Sequence, residues 1–195
     1  MIWARRKKKN KEYPRLETQR LLLRAFELSD SADVQRLAND KRVVSTLRSL
    51  PYPYEYGDAM RWIGTQKEEF QNGKAANFAV THMNSGELIG SIGLLINKAN
   101  ESAELGYWLG ITYWDNGYCS EAAVAVLRYG FGGLKLNRIH AHHMLRNPAS
   151  GRVMRKIGLK REGHLRGHMK KYGQFEDVIV YGILRSEYES LRRDA

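Results

Sequence analysis

Tyr113-Trp114-Asp115-Asn116-Gly117-Tyr118-Cys119-Ser120-Glu121-Ala122 is the stretch on which the reading of the fold turns. It follows a strand-like run, residues 102–111, and leads into a helix expected from about Cys119 to Phe131. That helix is apolar on most faces, through Ala122, Ala123, Val126 and Leu127. The first amides of a helix have no intrahelical acceptor, and the helix dipole places partial positive charge beside them. Such a terminus binds phosphate oxygens. Gly117 permits a bent backbone and lets a ligand come close to it. By themselves these residues fit two readings, an ordinary glycine loop and a phosphate cradle. A P-loop is excluded, because Gly-x-x-x-x-Gly-Lys-[Ser/Thr] is absent.

The preceding run, Ser102-Ala103-Glu104-Leu105-Gly106-Tyr107-Trp108-Leu109-Gly110, alternates as a strand does. Ala103, Leu105, Tyr107 and Leu109 form one face, expected to be core. Glu104, Gly106, Trp108 and Gly110 form the other, a carboxylate and an indole separated by glycines that leave room for a substrate. Glu104 is therefore either a surface glutamate on an outward face or a base able to deprotonate an incoming ammonium, directly or through water. Further on, Asn147 is a good N-cap with Pro148 at the first helical position, and Ser150 lies one turn in.

Here a resemblance enters. Trp114-Asp115-Asn116-Gly117-Tyr118-Cys119 resembles the acetyl-CoA signature of the GNAT superfamily, [Gln/Arg]-x-x-Gly-x-[Gly/Ala]. The closer likeness is to the variant of the ribosomal-protein N-terminal (Rim-type) acetyltransferase branch, Trp-Gly-x-Gly-Tyr-Ala-x-Glu-Ala. Trp114, Gly117, Tyr118, Glu121 and Ala122 match it. Asp115 and Cys119 depart from its Gly and Ala, and a carboxylate at Asp115 would repel a pyrophosphate unless it points away. Residues 147–163, NPASGRVMRKIGLKREG, resemble Asn-x-x-Ser-x-x-[Val/Leu]-x-x-Lys-x-Gly-Phe-x-x-Glu-Gly, with Leu159 in place of Phe.

The resemblance covers roughly residues 15–185 and implies a GNAT fold and an N-acetyltransferase using acetyl-CoA. It implies that the amides of Asn116, Gly117, Tyr118, Cys119 and Ser120 hold the pyrophosphate, and that Asn147 touches the pantetheine. It further implies that an amide near Leu109 polarises the acetyl carbonyl, and that Ser150 protonates the leaving thiolate. Glu104 then becomes the candidate base. The acceptor implied by the branch is a protein N-terminal α-amine, as on a ribosomal protein. Polyamines and aminoglycoside-like amines stay open, since acceptor loops vary on one fold.

The rest of the chain reads as a mixed sheet with helices packed on it, an α/β (α+β) domain over residues 14–195. Strands are expected at 15–26, 76–83, 88–96, 102–111, 138–145, 160–166 and 175–184. Helices are expected from a Ser29-Asp30 N-cap to Leu37, over 54–72 with a stripe of Tyr56, Met60, Ile63 and Phe70, near 119–131, and over 148–157. Hydrophobic residues make up 43% and charged residues 27%, ordinary for a globular domain, and no apolar run nears the roughly 20 residues of a membrane span.

Net charge is +11; Arg5, Arg6, Lys7, Lys8, Lys9 and Lys11 supply six of those charges, so the rest of the chain carries +5. Residues 1–13 are expected to form a disordered basic arm, with RNA, ribosome or anionic-membrane contact as the rival reading. A cytoplasmic setting fits the single Cys119, whose place at a helix start allows a lowered thiol pKa but whose size suits packing beside the phosphate loop. His140, His142 and His143 look like a metal cluster, but on a strand only His140 and His142 share a face and the sequence implies no third ligand, so they are assigned to the strand surface and no metal is expected.

Overall fold

The computed structural model of the protein describes residues 11–193. Its centre is one sheet of eight strands: β1 (Leu16–Glu17), β2 (Leu21–Arg24), β3 (Ala75–His82), β4 (Leu88–Asn97), β5 (Ser102–Leu109), β6 (Arg138–Met144), β7 (Lys160–Lys171) and β8 (Gln174–Leu184). Their order is β1-β2-β3-β4-β5-β6-β8-β7. Every neighbouring pair is antiparallel except β5 and β6.

Around the sheet lie α1 (Ser31–Ala38), α2 (Lys41–Val44), α3 (Tyr56–Gln71), α4 (Tyr118–Arg128), α5 (Pro148–Lys156) and α6 (Arg185–Arg193). One core joins the sheet to α4 and α5, through Leu94, Leu105, Ala123, Val126, Ile139 and Met154. A smaller core on the other side joins it to α1 and α3, through Val34, Leu37, Ala59, Ile63 and Ala79. Among the described residues, no helix is long and apolar enough to cross a membrane.

Several elements differ from expectation. The run 15–26 is not one strand, because it folds back at Thr18. There the Thr18 N–H donates to Leu21 O at 2.9 Å and the Leu21 N–H donates to Thr18 Oγ1 at 2.9 Å. The N-cap position of α1 is Asp30, within the expected Ser29-Asp30, but its side chain makes no cap bond to that helix; it accepts the Glu27 N–H at 2.8 Å across a short 3₁₀ turn over Leu28–Asp30 that precedes the helix. Both oxygens of Asp30 are also gripped by Arg24 at 2.8 Å.

On α3 the buried stripe is Ala59, Ile63, Gln66 and Phe70, so Tyr56 and Met60 face outward. Gln66 earns its buried place by accepting a hydrogen bond from Asn77 at 2.7 Å. The helix α6 was not foreseen: none of its residues is buried, and its apolar side is only Tyr188 and Leu191. It rests instead on Tyr188, stacked on Phe131 at 4.7 Å between ring centroids.

The domain, in contrast, starts earlier in the chain than expected. Residues 5–9 lie outside the described residues, but Lys11 and Tyr13 pack on the domain. The Lys11 N–H donates to Gln71 Oε1 at 2.9 Å, and Tyr13 lies 4.2 Å from Phe70 and donates to Asn77 O at 2.6 Å. A tyrosine next to an apolar surface buries its ring while its hydroxyl finds a carbonyl, and composition alone gives this no weight.

Candidate active site

The pairing of β5 with its two neighbours is unequal. With β4 it runs to Gly90 opposite Leu109; with β6 it stops at Glu104 opposite His140. Beyond that pair β6 continues along β8 to Met144. The facing edges of β5 and β6 therefore part, and a cleft of about 670 Å³ opens between them. It runs from Gly117, Cys119 and Ser120 at one end to Arg48, Glu104 and His142 at the other. The Gly110 N–H donates to Ile89 O on β4 at 2.9 Å. Since successive strand amides alternate in direction, the Leu109 N–H faces the other way, into the gap.

At the first end α4 starts on Gly117, which sits at φ 78°, ψ −2°, and no side chain caps it. The first intrahelical bond is Glu121 N–H to Gly117 O, 3.1 Å, so the amides of Tyr118, Cys119 and Ser120 have no acceptor within the helix. Asp115 is also left-handed, at φ 59°, and its side chain is exposed. That conformation explains why the resembling signature has Gly there, and why Asp, one of the side chains that tolerate it, can stand in its place.

The loop is fixed at both flanks. The Trp114 indole N–H donates to Leu109 O at 2.9 Å, and Asn116 Nδ2 donates to Trp114 O at 2.8 Å. Glu121 reaches the β1–β2 hairpin, accepting from Thr18 Oγ1 (2.6 Å), the Arg20 N–H (2.8 Å) and Arg20 Nε (2.7 Å). Burial would raise its carboxyl pKa, but these donors outweigh burial and hold it below the ordinary value. Arg20 also donates to Asn116 O at 3.1 Å and lies 4.4 Å over the Tyr118 ring. The thiol of Cys119 is not activated: burial among apolar side chains pushes it up to about 12.

Midway along the cleft, Asn147 caps α5, its Oδ1 accepting the Ser150 N–H at 3.4 Å. The Ser150 Oγ is 2.9 Å from the hydroxyl of Tyr107, which also donates to Ser150 O at 3.0 Å. Tyr107 was assigned to the core by alternation. Its ring does face the main core, but its hydroxyl reaches the cleft, and burial raises its pKa. The helix lies close on β6, since a Cβ at Gly151 would come within 2.6 Å of His143 Nε2.

At the far end Glu104 Oε1 stands 3.4 Å from His142 Nδ1 and 3.7 Å from Arg48 Nη2. Arg48 belongs to the segment after α2, which is tied down from the opposite side: Arg146 Nη2 donates to Ser45 O at 2.5 Å and Lys171 Nζ to Leu50 O at 3.0 Å. Trp108 packs towards the smaller core while bordering the cleft.

The structure thus brings Glu104, Leu109, Asn147, Ser150 and residues 117–120 to one cleft, while Asn116 does not line it and is exposed, its side chain turned to Trp114 O. The assignment of the histidines to the strand surface needs correction: His142, 19% exposed, is part of the cleft wall, and His143 is buried against α5. Arg20, Arg48, Tyr107 and His142 were not anticipated as site residues. The last had a usable signal, since His140 and His142 share the outward face of a strand that the order of elements could place beside β5. Arg48 had none.

Known proteins agree with this geometry. Residues 20–160 match the family model described as acetyltransferase (GNAT) domain. An uncharacterized N-acetyltransferase, p20, of Bacillus licheniformis is 32% identical over 174 residues, 89% of this chain and 97% of that protein. A solved GNAT-family acetyltransferase from Bacillus anthracis superposes with a TM-score of 0.79 at 30% identity, covering 89% of this chain and 99% of that one. RimL, a ribosomal L7/L12 alpha-N-protein acetyltransferase solved with coenzyme A, has the same fold: TM-score 0.81 at 21% identity, over 88% of this chain and 98% of that one. By its sequence, its sheet and the helix start that faces the parting strands, the chain belongs to the GNAT acetyltransferase family.

Proposed function

We propose that the protein transfers the acetyl group of acetyl-CoA to a primary amine, and that this amine is the N-terminal α-amine of a protein. Acetyl-CoA would supply the activated acetyl thioester. The amides of Tyr118, Cys119 and Ser120, with Gly117 leaving the approach open, suit its pyrophosphate, and Asn147 suits its pantetheine. The Leu109 N–H points to where an acetyl carbonyl would lie and would stabilise the oxygen as it gains charge. The hydroxyl pair of Ser150 and Tyr107 would give the leaving sulfur its proton. Glu104 would attract the acceptor ammonium and help remove its proton.

The observation that carries the acceptor is the charge along the cleft. Its lining acids are Glu104 and Asp115, and Asp115 lies at the phosphate end, while Arg48 stands beside Glu104. A polyamine or an aminoglycoside brings several cations and would find one carboxylate, already flanked by a guanidinium. A peptide α-amine brings a single cation, which that carboxylate can serve. The test is a screen with acetyl-CoA that reads released thiol across peptides with free N-termini, spermidine and aminoglycosides. Turnover on peptides is expected. Turnover on spermidine with none on any peptide would overturn the acceptor assignment.

A further inference from the structure

We infer that His142 is the group that takes the proton from the acceptor amine, and that Glu104 and Arg48 fix its tautomer and charge; this rests on the acetyl-transfer reading above.

A free carboxylate is a poor match for the task. The ordinary Glu pKa is about 4.3, that of an N-terminal ammonium about 7.7–8.0 and that of His about 6.5. Proton transfer is most effective when the base has a pKa near that of the group it serves at working pH. An ordinary imidazole narrows a gap of more than about three pH units to little more than one, and burial takes back part of that gain at His142. Arg48, 3.7 Å from Glu104, already pairs with that carboxylate.

His142 is positioned to serve. It lies on β6 just past the point where pairing with β5 ends, in the cleft wall, 19% exposed. Across the gap, next to Glu104 on the same face of β5, Gly106 has open space where a Cβ would be, so an acceptor can reach this wall. The Nδ1 of His142 faces Glu104 Oε1 at 3.4 Å. A ring nitrogen beside a carboxylate carries the proton, which leaves the lone pair on Nε2.

The groups around the ring set its charge. Burial is the largest influence and lowers its pKa; Glu104 raises it; Arg48, His140 and His168 lower it, and the net shift is downward. The imidazole is therefore neutral at pH 7 and free to accept a proton. Once it does, both nitrogens carry hydrogen and Glu104 stabilises the cation.

The step balances as follows. The ammonium gives one proton to Nε2 of His142, and the resulting amine forms a C–N bond to the acetyl carbon. The C–S bond breaks. The departing sulfur gains a proton from the hydroxyl pair of Ser150 and Tyr107, the nitrogen loses a second proton that restores that pair, and His142 returns its proton to solvent. One proton is released overall.

The test uses the full chain, acetyl-CoA and a short peptide with a free α-amine. In wild type, kcat/KM should rise with pH through an inflection below the ordinary His value. H142Q should lose about 10²-fold at pH 7, lose that inflection, and bind acetyl-CoA with unchanged affinity by calorimetry. Because the two residues act as one unit, H142Q/E104Q should be no slower than the slower single variant. An H142Q enzyme within threefold of wild type with the same pH profile, or a double variant whose loss is the product of the two singles, would overturn the inference.

Nitrogen NMR of the His142 ring provides an arm that needs no turnover. The neutral Nδ1–H form should dominate at pH 7, and E104Q should lower the ring pKa. An Nε2–H form, a charged ring at pH 7 or indifference to E104Q each overturns the inference. Failure of every amine to react, with a normal ring titration, would instead count against the acetyl-transfer reading.

Discussion

At one end of the cleft, residues 114–121 offer backbone: three helix amides, a left-handed glycine and a left-handed aspartate. At the other, Arg48, Glu104 and His142 offer side chains from three separate segments. The first end is local. Its geometry follows from a glycine and a helix start, and the side chains that stabilise it, Trp114 and Glu121, do so by gripping neighbours. The second is assembled at a distance, and each member's value depends on the other two. A backbone site tolerates changes of side chain as long as the main-chain path is kept. A side-chain site can change its substrate by one substitution while the fold stays, which is how one fold serves many acceptors.

The largest expected effect tests the side-chain end. Glu104→Gln keeps the shape and removes the charge, so kcat/KM for an amine should fall by about 10²–10⁴-fold near pH 7, with acetyl-CoA affinity nearly unchanged. The deficit should shrink at high pH, where more of the amine is already deprotonated in solution. Wild-type turnover at pH 7 would return Glu104 to a surface role and break the contrast between the ends.

Gly117→Glu tests the backbone end. A Cβ there would meet only the Arg20 guanidinium, at 3.6 Å, so packing permits it. The left-handed φ of 78° makes any side chain cost about 1–2 kcal/mol, and the added carboxylate would face the phosphates. Acetyl-CoA affinity should drop about 10²-fold, roughly 2.7 kcal/mol, while circular dichroism stays that of a folded protein. Unchanged affinity by calorimetry would place the phosphates elsewhere.

Ser150→Ala sits between the ends and should cost less, about tenfold in kcat. The CoA thiol, with a pKa resembling that of free cysteine at about 8.5, is a tolerable leaving group without an acid, and the Tyr107 hydroxyl remains beside it. A loss above about 10³-fold would give the hydroxyl pair a larger part than the leaving-group argument allows.

The smallest effect concerns residues 1–10. Deleting them should change turnover on a peptide by less than tenfold, about 1.4 kcal/mol of barrier. Extending the deletion through Tyr13 should lower the melting temperature, because that removes the ring packed on Phe70 and the bond to Asn77 O. Equal melting temperatures for the two truncations would show that the arm extends through Tyr13.

The backbone end of the cleft was legible because its determinants are neighbours in sequence. Trp114, Gly117, Tyr118, Glu121 and Ala122 could be matched as one motif, and the amides they present follow from helix geometry. The alternation of residues 102–110 likewise placed Leu105 and Leu109 in the core and Glu104 outside it. It could not show that the Tyr107 hydroxyl, at the end of a core-facing ring, reaches Ser150, 43 positions away. Nor could it separate His142 from an ordinary strand histidine.

By itself, then, the sequence determined the order of elements from β3 to β8, the helix start that faces the cleft and the outward face of β5, because each follows from spacings of a few residues along one segment. The tertiary structure alone decided where β5 and β6 part, which carboxylate meets which cation, and that a segment after α2 lends Arg48 to a site built 56 residues further on. Those contacts depend on how far a sheet stays paired and on tethers such as Arg146 to Ser45 O and Lys171 to Leu50 O, which join residues about a hundred positions apart. Pairing of that kind is set by the packing of the whole domain, and no local pattern of residues encodes it.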